Sequence, residues 1–322
     1  MRLGVSLLAM LVLAVPAAAQ DLTTWRHGTV QAKGDAGFLF MAAEGDFGKK
    51  YGLDIDMTTL KGDTLLLKAL ISGEIDSYEG AIGSPLIAAS KGAAIRVVGC
   101  HWQKLTYILF AQPEITSVAD LKGKTIGVSA PGSQPDLFAR AVLRENGIDG
   151  SEVTFVTAGS DSERIAALAA HVLDAAPSAS EFAAKAEEIG VKPLVKAVDV
   201  LPDAMRRCFY VRAESIEKNP EQVAGFLAAE LDAYEHSFAN KEEMMALSRK
   251  IAKLPPESSE PEFVYDEVTS LDVVSDDFRV DVSKLVWQRD LLASVGSMDA
   301  NFDPATILDL EPLEAAHKLR GE

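Results

Sequence analysis

Short apolar runs alternate with stretches whose apolar positions recur every three to four residues through the first two thirds of the chain. This alternation predicts strands interleaved with amphipathic helices. A first series reads as strands at 24–30, 53–59, 75–78 and 94–99, with helices at 38–51, 63–72 and 85–91; Gly73 and Gly92 close the last two. A second series opens with a candidate crossing strand at 106–111 and a short helix at 117–121. It continues with strands at 125–129, 153–157 and 173–176, helices at 135–146, 162–170 and 180–189, and an extended return at 209–212. Two successive βα series of this kind predict an α/β protein built from two similar units. From Pro220 the pattern turns helical, at 221–238, 241–252, 283–294 and 304–309, with a polar Pro-rich break at 254–261. That tail is expected to pack on the first unit.

The strand-to-helix junctions carry the grammar of helix starts. Asp35 lies in Gly34-Asp35-Ala36-Gly37; Ser84 reads as an N-cap before Pro85; Ser129, Gly132, Ser133 and Gln134 repeat the pattern before Pro135. Capping-box spacings run from Ser160 to Glu163 and from Ser178 to Glu181. In parallel α/β sheets these loops sit at the carboxyl ends of the strands, where unpaired N–H groups and the helix dipole favour ligands. Facing sheets would therefore enclose a cleft lined with donors. Trp25, Phe38, Trp102, Tyr107, Phe182 and Tyr210 fall near strand ends and would stack on a planar ligand, or fill the core. Arg26, Lys33 and Arg212 are candidate anion partners, read first as solvated surface.

Charge narrows the partners. The chain has 31 Lys and Arg against 48 Asp and Glu, a net charge of −17. Arg2, an apolar run over 3–15 and Pro16-Ala17-Ala18-Ala19 before Gln20 form the three-part pattern of an export leader cleaved after Ala19. Losing that leader's one arginine takes the charge to −18. Nucleic acid and anionic membranes are thereby poor partners. The run is shorter than the ~20 residues of a membrane span, and no Cys follows it. Cys100 and Cys208 admit a disulfide in an oxidising compartment, but the reading taken is two buried thiols, since spacing gives no distance between them. The five histidines lack zinc-ligand spacing, so no metal is expected. The chain has no G-x-S-x-G elbow, no Walker-type loop and no dinucleotide fingerprint.

The segment Ile115-Thr116-Ser117-Val118-Ala119-Asp120-Leu121-Lys122-Gly123-Lys124-Thr125-Ile126-Gly127-Val128 resembles the solute-binding proteins of bacterial ABC importers. Phe47-Gly48-Lys49-Lys50-Tyr51-Gly52-Leu53-Asp54-Ile55, Ala69-Leu70-Ile71-Ser72-Gly73-Glu74-Ile75-Asp76 and Lys218-Asn219-Pro220-Glu221-Gln222-Val223 are similar to the NMT1/THI5-like branch. The resemblance implies a type II periplasmic-binding-protein fold. Its two α/β lobes, 20–105 plus 213–322 and 106–212, would be joined by two crossing strands, with the helical C-terminal segment on lobe I. It also implies a soluble periplasmic monomer, without cofactor or catalysis, that closes on a small ligand and delivers it to an inner-membrane ABC permease. The expected ligand is a small organic acid or a nitrogen heterocycle. The expected contacts are Trp25, Asp35, Phe38, Gly80, Ser84, Tyr107, Ser129, Gly132, Ser133, Gln134, Ser178, Ser180 and Phe182. A pyrimidine-synthesising enzyme of the same fold, using a His and a Lys-bound pyridoxal phosphate, and a sensory binding protein are the alternatives. The enzyme's Cys-rich motif is absent here. One departure from relatives is His171, which stands in a turn that usually holds Gly.

Overall fold

The computed structural model describes residues 21–322, so the expected leader lies outside the described residues. Among the described residues, ten strands form two five-stranded sheets. The first holds β1 (Thr23–Val30), β2 (Leu53–Leu60), β3 (Ser77–Gly80), β4 (Ile95–Trp102) and β10 (Arg207–Arg212) in the order β2-β1-β3-β10-β4. The second holds β5 (Tyr107–Ala111), β6 (Thr125–Val128), β7 (Thr154–Thr157), β8 (Ala175–Ala179) and β9 (Lys192–Lys196) in the order β7-β6-β8-β5-β9. β1, β2 and β3 run parallel, as do β6, β7 and β8; β10 and β5 pair antiparallel with their neighbours. Each sheet therefore takes its antiparallel member from the chain just after it leaves the other sheet, which links the two by crossings between β4 and β5 and between β9 and β10.

The hydrophobic pattern placed most elements within a few residues. The first helix does not reach residue 51. It spans Ala36–Glu44, and a 3-10 turn at Phe47–Tyr51 follows, because Asp46 takes a left-handed conformation (φ 58°) that helix propagation cannot pass. Ser84 and Pro85 lie inside the helix Gly83–Ser90, which starts earlier than the expected cap. The Ser160–Glu163 capping box forms, whereas the Ser178–Glu181 one does not: Ser178 belongs to β8 and the Glu181 carboxylate is turned inward. The polar break ends early, since Glu260–Ser270 is helical. His171 sits at φ 54°, the conformation a Gly would take there without strain.

The 20-residue helix Pro220–Ala239 buries Val223, Phe226, Leu227, Leu231 and Tyr234 on the first sheet. Helices Pro220–Ala239 and Glu311–Arg320 pack together, so the tail joins the first sheet as expected. Cys100 on β4 and Cys208 on β10 form a disulfide, with a Cα separation of 3.8 Å. The two-thiol expectation is thereby corrected: adjacent antiparallel strands bring together residues 108 apart, a proximity that sequence spacing does not encode.

Behind the space between the sheets the packing is close. A Cβ at Gly83 would stand 3.0 Å from Leu137 and 3.2 Å from the Gly132 carbonyl. One core runs through this seam and takes in Leu105, Leu137, Leu201 and, partly buried, Trp287.

Candidate functional site

A cavity of about 210 Å³ opens between the sheets. That is the room of a short-chain or single-ring solute, since an apolar cavity of about 150 Å³ admits benzene. The first sheet contributes the loop after β1, the start of helix Asp63–Ser72 and the end of β3; the second contributes the loops before helices Gln134–Glu145 and Asp161–Ala169. Tyr107 and the pair Arg206-Arg207 come from the crossings.

The walls are rich in charge, and nearly all of it is paired within the protein. Asp35, fully buried, accepts from Arg206 Nη2 at 2.9 Å and Arg207 Nη2 at 2.8 Å, both on Oδ2. Burial opposes ionisation of this carboxyl, but Arg207, Lys33 and Arg206 outweigh it and hold its pKa below the usual range. Arg206 also donates to Thr106 Oγ1 at 2.5 Å and stacks 4.5 Å over Trp102. Arg207 lies 3.9 Å from Glu79, which binds His101 Nε2 and accepts from Thr29, each at 2.7 Å.

A second group bridges the sheets. Lys33 follows β1, and its ammonium donates to Asp161 Oδ2 at 3.0 Å and stands 3.4 Å from Glu181 Oε1. Arg164 clamps Asp161 and donates to the carbonyls of Pro177 at 2.7 Å and Gly159 at 2.5 Å. Both Glu181 oxygens lack hydrogen bonds. Burial pushes this carboxyl up to about 7, with Asp35 and Asp161 adding to the rise and Lys33 opposing it.

Of the residues expected from sequence, Gly80, Tyr107, Ser129 and Gln134 line the cavity. Asp35 lies one shell behind it, holding the arginines. Ser133 bonds Ser129 and Ala130, and the Gly132 N–H donates to Asp136. Ser84 follows Gly83 at the apolar seam. Ser178 is buried in β8, Ser180 donates to Glu267 at 2.5 Å, and Phe182 packs under the second sheet. Trp25 stacks on Phe226 and donates to Ser77, and Phe38 packs among Trp102, Tyr234 and Phe238, so both belong to the core of the first sheet.

Lys33, read as solvated, is only 9% exposed and reaches the cavity. Arg212 is also largely buried, on Asp76 and the carbonyls of Leu70 and Ile75. The candidate anion partners read from sequence did not include Arg206, Arg207 and Arg164. The available signal was a doublet of arginines at the start of the return strand.

Among the described residues no helix is long and apolar enough to cross a membrane, and no cluster of three metal-ligating side chains occurs. A Brucella abortus protein provisionally named a binding protein is 29% identical over 228 residues, 69% of each chain. Solved structures share the fold at lower identity. The periplasmic nitrate-binding protein NrtA of Synechocystis PCC 6803 superposes with TM-score 0.78 at 16% identity, covering 94% of this chain and 91% of that one. The alkanesulfonate-binding protein SsuA of Xanthomonas axonopodis pv. citri gives 0.74 at 19%, covering 90% and 99%. The desulfurization enzyme DSZB gives 0.66 at 18%, covering 93% and 99%. The fold is that of periplasmic binding proteins. The model of the NMT1/THI5-like family matches residues 34–244, and the chain belongs to that family.

Proposed function

We propose that this protein is the periplasmic solute-binding component of an ABC importer. It captures a small organic acid, a sulfonate or carboxylate, or a nitrogen heterocycle, and delivers it to an inner-membrane permease without transforming it. The observation that carries this reading is the cavity itself: a small chamber with walls from two sheets between which the chain passes in two crossings. On this reading residues 20–105 and 213–322 form lobe I and 106–212 lobe II. The protein is exported, works as a monomer and closes by bending at the crossings. Gly80, Tyr107, Ser129 and Gln134 touch the ligand.

Internal pairing of the basic groups supports a ligand of low charge. A doubly charged anion would have to compete with Asp35 and Asp161 for the same cations. The size of the chamber supports a short or single-ring solute.

A thermal-shift screen of the mature protein against sulfonates, aliphatic and aromatic carboxylates, pyrimidines and inorganic oxyanions tests this reading. A ligand at 100 times its Kd adds about 2.7 kcal/mol of stability. At about 2 °C per kcal/mol for a chain of this size, the melting temperature rises by ~5 °C. A screen in which none of the organic classes shifts the transition refutes the ligand assignment. A hit consumed on incubation, followed by mass spectrometry, refutes capture without chemistry.

A further inference from the structure

The cavity's fixed charges are not all committed. Lys33, Arg164, Arg206 and Arg207 are engaged by Asp161, Asp35 and Glu79, and Glu163 caps its own helix through the Ser160 N–H at 2.6 Å. Two lining charges remain, and they come from one loop, Lys61-Gly62-Asp63. Neither makes an ion pair among the described residues.

Asp63 is the more constrained of the two. It is the first residue of helix Asp63–Ser72, preceded by Gly62 at φ 95°. Its Oδ1 accepts the Ala81 N–H at 3.0 Å, which ties the carboxylate across the end of β3. A Cβ at Gly80 would collide with that same oxygen, so the carboxylate occupies space that the glycine leaves. Oδ2 receives no hydrogen bond among the described residues, although Asp63 lines the chamber. Burial raises this carboxyl above its ordinary pKa, with the Ala81 N–H and Arg207 only partly opposing the rise. Asp63 is partly buried, and its unpaired oxygen is open to a donor that enters the chamber.

We propose that Asp63 Oδ2 receives a protonated nitrogen of the ligand while Lys61 pairs its acidic group, so that the captured solute is a small zwitterion rather than a simple anion. This rests on the reading of the cavity as the ligand site and deepens it. Asp63 acts as a specificity-determining residue: it rewards the ammonium group and repels an acid that lacks one.

The test uses matched acids with and without an amine: 3-aminopropane-1-sulfonate against propane-1-sulfonate, 4-aminobutanoate against butanoate, and 4-(aminomethyl)benzoate against 4-methylbenzoate. Affinities are measured by calorimetric titration at pH 7 on the wild type, Asp63→Asn and Asp63→Glu, with circular dichroism and melting temperature confirming that the variants fold. The expected result is that, in at least one pair, the wild type prefers the amino compound by at least tenfold. Asp63→Asn abolishes the preference by weakening the amino compound and not its partner, and Asp63→Glu restores part of it. Equal or tighter binding of the amine-free acids by the wild type overturns the inference and leaves capture of an organic acid standing. A preference that survives in Asp63→Asn overturns the role of Asp63. Failure of every compound to bind the wild type overturns both this inference and the assignment of an organic acid to the cavity.

Discussion

Asp35→Asn isolates the contribution of the buried charge cluster. The substitution keeps the shape of the side chain and removes its charge. Arg206 and Arg207, 3% and 4% exposed, then lose the carboxylate on which both converge. Removing one partner of a buried ion pair costs about 3–5 kcal/mol, because the remaining charge stays out of water without compensation. For a chain of this size the melting temperature should fall by ~6–10 °C, and the urea midpoint should fall with it. The pH dependence adds a signature. Asp35 titrates lower in the folded protein than its unfolded value of about 3.9, so its contribution is complete above that value and lost as pH falls through the folded pKa. The gap between wild type and variant should hold steady from pH 5 to 8 and narrow below about 4. The released arginines should also bind sulfate, so added sulfate stabilises the variant more than the wild type. A loss below about 1 kcal/mol, with equal response to sulfate, would refute the claim that Asp35 neutralises these arginines.

Glu181→Gln should change the slope of stability with pH. Glu181 is pushed up to about 7, so the folded state holds its proton between about 4.5 and 7 and stability falls as pH rises there; His27, lowered by burial to about 4, gives the opposite slope between about 4 and 6.5. The variant's stability should therefore rise more steeply with pH than the wild type's over this range, and identical chemical-denaturation profiles would sink the assignment. Reducing the Cys100–Cys208 bond should cost about 2–4 kcal/mol, since it closes a loop containing the whole second sheet; thiol titration of the unfolded, unreduced protein should find no free thiol, and finding two would restore the two-thiol reading. Gly37→Ala should destabilise by about 1–3 kcal/mol, because the new Cβ meets the backbone carbonyl of Met244 in a neighbouring helix. An urea midpoint equal to wild type would show that the helix yields.

The alternation of strand and helix was readable because each βα unit buries one face of its helix and both faces of its strand, a constraint that acts over ten to fifteen residues. The crossing strands were readable for the same reason. Several of the loops at the carboxyl ends of the strands do surround the chamber. Which side chain faces the chamber was not readable, because it depends on the facing sheet. Trp25 and Ser77 lie on neighbouring strands and share a hydrogen bond under the helix Pro220–Ala239, a face fixed by a segment about 200 residues downstream. Lys33 and Asp161 are 128 residues apart, and only the docking of the two sheets makes them partners. Glu181 looked like half of a capping box from its spacing, yet continuation of β8 through Ala179 moved the helix start past it and turned its carboxylate toward Lys33.

That last displacement bears on how the cleft works. A capture protein needs a closed form that is poorly populated until ligand arrives, since a closed form already dominant gains little from binding and admits nothing. On the proposed reading, Lys33 with Asp161 would favour closure by joining the two lobes through a nearly buried ion pair. On the same reading Glu181 would work against it: its buried carboxylate, set near Asp35 and Asp161, must either bind a proton or carry an unfavourable charge. The two terms act at the same lysine with opposite sign. Substituting Lys33 therefore should not simply open the cleft. It removes the attraction to Asp161 and also the cation that best tolerates an ionised Glu181, so the variant's ligand affinity should become strongly pH-dependent, weakening above pH 7. A variant whose affinity falls by the same factor at pH 5.5 and pH 8 would show that Glu181 does not oppose closure.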